Sequence, residues 1–75
     1  MISPTQRMVL EALADKPDKF HEPYDIGRQC DIASGVVGNA CKRLYLAGLA
    51  ERGPVPERWT GYRITEAGKK ELANA

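Results

Sequence analysis

Three observations predict a small α+β domain. A capped apolar stripe runs from Ser34 to Leu46 and closes on Gly48-Leu49. A Pro- and Arg-bearing loop then leads into the alternating Tyr62-Arg63-Ile64, and Thr65 stands where a further helix would be capped. Helix, β-hairpin and helix in so short a span is the layout of a winged helix-turn-helix. Three helices, a two- or three-stranded sheet with a hairpin wing, and a short C-terminal helix are expected, all in one domain covering residues 1–75.

The first helix is announced by Ser3 as N-cap, Pro4 at the first helical position and Gln6 at the third, a Ser-x-x-Gln capping box. Val9, Leu10, Leu13 and Ala14 then recur at helical spacing. An end near Asp15 is expected, because Pro17 disfavours helical geometry at Lys16. Residues 16–22 read as a polar connector, with Phe20 as the apolar anchor of a short edge strand.

A second helix is expected from Pro23, with Ile26 and Cys30 one turn apart and Gly27 as a point of close approach. It should stop around Cys30 and Asp31, leaving Ile32-Ala33 as a tight turn. Ser34 is read as the cap of the third helix, over 34–46, where Val37, Ala40, Cys41 and Leu44 form one apolar stripe. Gly48 ends it and Leu49 is the apolar residue that follows such a glycine. A hairpin is expected over 50–64, with Tyr62 and Ile64 on one face and Arg63 on the other. Thr65 then caps a last helix with Ala67 and Leu72 on its apolar side. The expected core is Val9, Leu10, Leu13, Ile26, Cys30, Val37, Cys41, Leu44, Leu49, Tyr62 and Ile64.

Composition narrows the function. No apolar run is long enough for a transmembrane helix and the N-terminus lacks a signal-peptide core, so a cytoplasmic protein is expected. Cys30 and Cys41 fit no zinc pattern, the one histidine being His21, and are expected to be buried and reduced. No cofactor and no metal are expected. No catalytic carboxylate pair or phosphate-binding glycine loop stands out, and His21 beside Glu22 reads as a helix-start residue, which argues against an enzyme.

The net charge is only +1, but it is unevenly spread. Residues 1–33 hold four Lys or Arg against six Asp or Glu, and residues 34–75 hold seven against four. The positive half contains the third helix and the wing, a modest asymmetry that favours an electrostatic footprint for nucleic acid there, although a solvated mixed-charge surface would look similar.

Three segments carry a family resemblance. His21-Glu22-Pro23-Tyr24-Asp25-Ile26-Gly27 looks like the start of the second helix in PadR-like regulators. Cys41-Lys42-Arg43-Leu44-Tyr45-Leu46-Ala47-Gly48-Leu49 is similar to a helix ending in Leu-x-Arg-Leu-x-x-x-Gly-Leu. Tyr62-Arg63-Ile64-Thr65-Glu66-Ala67-Gly68 is close to the Tyr-x-Leu-Thr-x-x-Gly that joins a wing strand to the next helix. Nearly the whole chain thus resembles the winged helix-turn-helix regulators of the PadR-like and MarR-like families. The resemblance implies a small transcriptional regulator that binds double-stranded DNA.

On that reading the third helix enters the major groove and the wing meets flanking backbone or the minor groove. Lys42 and Arg43 would contact phosphate, with one reaching a guanine edge, or else line a solvated helix surface; Asn39 is the candidate base reader because its amide can pair twice with adenine, or else an ordinary exposed polar residue. Val36 would pack on a thymine methyl, or belong to core or interface; Ser34 would also touch phosphate. Gly35 and Gly38 would allow close approach of backbone to DNA or a partner, or are simply tolerated. Arg58 in the wing would enter a minor groove or meet phosphate, Arg63 would contact backbone, and Trp59 would pin the hairpin, or else stack or bind a partner. The alternative is a protein-interaction adaptor without DNA binding, for which Val36, Trp59 and the low net charge speak. Ten residues follow Thr65, so a weak homodimer, or a monomer that dimerises on DNA, is expected, through the last helix (66–75) or helix 1.

Overall fold

The computed structural model describes residues 2–55 and 60–74. The elements follow the order α1 (Pro4–Asp15), α2 (Pro23–Cys30), α3 (Ser34–Leu46), β1 (Ala50–Pro54), β2 (Thr60–Ile64) and α4 (Glu66–Ala73). This is the α+β winged helix-turn-helix expected. Among the described residues no helix is long and apolar enough to cross a membrane.

α1 starts on the expected capping box. The Gln6 amide donates to Ser3 Oγ at 3.1 Å and the Ser3 amide donates to Gln6 Oε1 at 3.2 Å. α2 has Pro23 in its first turn and ends on Asp31, whose φ of 59° is left-handed. The Ile32 amide returns to the Gly27 carbonyl at 2.9 Å, making the turn into α3 very tight. A Cβ on Gly27 would lie 2.6 Å from the Ile32 carbonyl oxygen, so this turn requires glycine there.

α3 spans the expected residues 34–46, but its N-cap lies one residue earlier than expected. Ala33, not Ser34, is the N-cap: its carbonyl accepts from the Val36 and Val37 amides at 3.0 and 3.1 Å. Ser34 is already helical, and no side-chain hydrogen bond caps this end. The far end of α3 is built as expected. Gly48 has φ of 80°, the Leu49 amide donates to the Leu44 carbonyl at 2.9 Å, and the Gly48 amide donates to the Tyr45 carbonyl at 3.1 Å. This pair of bonds is a Schellman motif.

β1 and β2 pair antiparallel, with Ala50 opposite Ile64, Glu51 opposite Arg63 and Arg52 opposite Tyr62. The edge element near Phe20 amounts to a single bridge at the next residue, where His21 and Tyr62 exchange amide-to-carbonyl bonds of 2.8 and 2.9 Å. His21 is buried and its Nε2–H donates to the Lys16 carbonyl at 3.1 Å. It is a structural residue of the connector. Thr65 Oγ1 caps α4 by accepting from the Gly68 amide at 3.1 Å, and its hydroxyl donates to the Gly48 carbonyl at 2.7 Å. One threonine therefore joins the end of α3 to the start of α4.

The core holds Val9, Leu10, Leu13, Ile26, Val37, Cys41, Leu44, Tyr62 and Ile64 as expected, and adds Ala12, Ala40 and Ala50. Two residues expected inside are half-buried instead. Leu49 packs at the core's edge, and Cys30, the last residue of the short α2, lies in the open groove against Met8, Glu11 and Ala12 of α1. Ala67 is exposed, and Gly68 takes the buried position on α4. A Cβ on Gly68 would meet the Leu49 carbonyl oxygen at 2.3 Å. Both cysteines are free thiols. Burial pushes the Cys41 thiol up to about 12, so it stays protonated.

Candidate nucleic-acid interface

α3 buries Val37, Ala40, Cys41 and Leu44. At 3.6 residues per turn, the line directly opposite runs through Gly35, Asn39, Lys42 and Leu46, and all four are exposed. Ser34, Gly38 and Tyr45 flank this line on one side; Val36 and Arg43 flank it on the other. All five are exposed except Gly38, which is half-buried. The fold thus gathers seven of the nine candidate residues on the outward surface of one helix. Beyond its own stretch of helix, a Cβ on Gly35 or Gly38 would have no atom of the described residues within 4 Å. The domain's own packing therefore has no use for either glycine.

Arg58 and Trp59 lie outside the described residues. Arg63 is half-buried and already engaged. Its Nε donates to Glu51 Oε1 at 2.9 Å, and the same carboxylate pairs with Nη2. Its guanidinium also stacks over Phe20, 4.3 Å from the ring centroid. The charge of Arg63 is thereby matched inside the fold.

Three exposed residues on or beside this surface were not singled out in the sequence. Leu46 is 72% exposed, the most open large apolar side chain of α3, and Tyr45 is 39% exposed. Leu46 lies four residues after Lys42, so extending the outward line by one turn would have found it. Arg52, on β1, stacks over Tyr45 at 4.7 Å. No local signal links those two, since only the fold brings β1 against the end of α3.

Comparison with known proteins locates this arrangement. No family model matches the sequence. The curated proteins contain no significant match. Solved structures do match. The MarR family transcription regulator SP03579 aligns with a TM-score of 0.84 at 23% identity, over 96% of this chain and 48% of that one. PcaV of Streptomyces coelicolor, a transcriptional regulator solved with its natural ligand, gives 0.83 at 20% identity, over 96% of this chain and 51% of that one. MepR, a transcription regulator of the Staphylococcus aureus multidrug efflux pump MepA, gives 0.85 at 20% identity, over 97% of this chain and 54% of that one. The chain spans about half the length of these structures. It has the winged helix-turn-helix fold of MarR-family regulators.

Proposed function

We propose that this chain binds double-stranded DNA sequence-specifically as a transcriptional regulator, not as an enzyme, with α3 in the major groove and the hairpin on the flanking backbone or minor groove. The observation that carries this reading is the outward line of α3, which leaves Asn39 and Lys42 uncovered on a helix that packs against β1. An isolated helix of this width fits a major groove, and the fold family aims this helix there.

Lys42 and Arg43 then neutralise phosphates, with Ser34 as a further backbone contact, and Asn39 reads an adenine edge. Val36 meets a thymine methyl. Gly35 and Gly38 let the helix backbone approach the DNA closely, which accounts for two glycines that the domain itself does not need. Arg58 serves the flank. Arg63, with its charge matched by Glu51, contributes less than the other cations. The reading requires no cofactor. It takes a cytoplasmic site of action and a weak homodimer on paired half-sites.

A second reading has a specific observation in its favour. Val36 is 48% exposed and Leu46 72% exposed, on a helix that also exposes Tyr45. A protein-interaction adaptor would use that apolar surface and bind no DNA.

Selection of bound sequences from a random duplex library separates the two. A regulator enriches a defined site, palindromic if two copies bind. Asn39→Ala should then cost about 1–3 kcal/mol on the enriched site and little on random duplex, because a base contact carries specificity and a phosphate contact does not. An unenriched library, with no duplex retained at low salt, would leave the adaptor reading.

A further inference from the structure

We propose that Arg52 is a phosphate-binding residue at the junction of α3 and the hairpin, held in place by Tyr45 and Tyr62. The proposal rests on the DNA-binding reading above and deepens it.

Arg52 and Arg63 have opposite surroundings. Adjacent strand positions face opposite sides of a sheet, and the register sets Arg52 against Tyr62 and Arg63 against Glu51. Arg63 meets a carboxylate. The partners of Arg52 among the described residues are neutral. Its guanidinium lies 4.7 Å from the Tyr45 ring centroid and 5.8 Å from that of Tyr62, and Nη2 donates to the Tyr62 hydroxyl at 3.5 Å. Such contacts orient the cation without cancelling its charge. A guanidinium has five N–H donors, and Tyr62 engages only Nη2. Arg52 is exposed, and among the described residues its guanidinium makes no other hydrogen bond.

The position matters as much as the charge. In a duplex, one phosphodiester backbone separates the major groove from the adjoining minor groove. A domain with a helix in the major groove and a wing on the flank therefore straddles a backbone, and the residues between helix and wing face it. Arg52 occupies that place. It lies on β1 and stacks on Tyr45, which flanks the outward line of α3 three residues beyond Lys42. Arginine suits the role because its planar fork both stacks on aromatic rings and matches phosphate oxygens.

The test measures binding of the parent chain, Arg52→Gln, Arg52→Lys and Tyr45→Leu to a random-sequence duplex over a salt series, with circular dichroism to check that each variant is folded. Loss of one phosphate contact should lower the slope of log affinity against log salt by about 0.9 for Arg52→Gln. Arg52→Lys and Tyr45→Leu keep the cation and should keep the slope. Both should bind several-fold more weakly, because the charge is no longer held by stacking. A merely structural role for Arg52 would lower the melting temperature and leave the slope of the folded variant unchanged. If the parent binds and Arg52→Gln shows the parental slope, the proposal is wrong and the DNA reading stands. If Arg52→Lys and Tyr45→Leu both match the parent in affinity, the tyrosines do not hold the cation and the proposal is wrong in that part. A parent chain without salt-dependent binding overturns the DNA reading and this proposal together.

Discussion

The two ends of α3 are built on different principles. At its C-terminal end the chain is locked from several directions. Gly48 turns left-handed, Leu49 reaches back to the Leu44 carbonyl, and the Thr65 hydroxyl bonds the Gly48 carbonyl. Gly68 brings α4 against the Leu49 carbonyl oxygen, and Arg52 stacks on Tyr45. The N-terminal end has a backbone turn and no side-chain cap, followed by Gly35 and Gly38 with open space around them. The anchored end fixes the helix relative to the hairpin. The bare end is the one helix-turn-helix proteins present to base edges. The C-terminal half of the helix carries the anchoring contacts, and its N-terminal turn has no side-chain cap.

Alanine at four glycines breaks or sharpens this contrast. The largest effect is expected at Gly68, where a Cβ would lie 2.3 Å from backbone oxygen and 2.7 Å from Ile64 Cγ1. Gly68→Ala should destabilise the domain by about 1–3 kcal/mol, the usual cost of overpacking, read as a lower urea midpoint. Gly48→Ala comes next. Its φ of 80° is strained for any residue with a Cβ, at about 1–2 kcal/mol, and the same denaturation series reports it. The sign should reverse at the other end. Gly38→Ala, inside the helix with nothing nearby, should stabilise by about 0.5–1 kcal/mol, and Gly35→Ala, in the first turn, by less. If close approach to DNA is their use, both variants should bind duplex more weakly while being more stable. Destabilisation by Gly38→Ala would show a packing constraint on the outward face.

The two thiols give the smallest effects. Cys41 is fully buried at the anchored face, whereas Cys30 is half-buried in the α1–α2 groove. A thiol reagent should therefore label Cys30 readily and Cys41 only as fast as the domain opens. Because burial raises the Cys41 thiol from 9.0 to about 12, the unfolded chain releases this proton at lower pH than the folded one. Its contribution to stability is complete below pH 9 and is lost as pH rises from there toward 12. Denaturation of the parent and Cys41→Ala across that range should show the steeper decline in the parent.

Local signals were legible in the sequence. The Ser3 and Thr65 caps, the Gly48-Leu49 ending and the apolar stripe of α3 each lie within a few residues of what they govern, and each folds as read. The errors are tertiary. Ser34 looked like a cap, but the Gly27–Ile32 turn is so tight that Ala33 takes that position. Cys30 sits at helical spacing from Ile26, yet α2 ends there and α1 covers only part of it. On the outward face of α3, periodicity alone collected Gly35, Asn39 and Lys42. The different surroundings of Arg52 and Arg63 depend on strand register and on contacts with Tyr45 and Phe20, which no local pattern encodes.

The outward face of α3 is tested most directly by the salt dependence of duplex binding for Lys42→Ala and Lys16→Ala. Each change removes one exposed cation, the first on α3 and the second just beyond α1. Docking through α3 predicts a slope lower by about 0.9 for Lys42→Ala and a parental slope for Lys16→Ala. Equal slopes for both variants and the parent would contradict it.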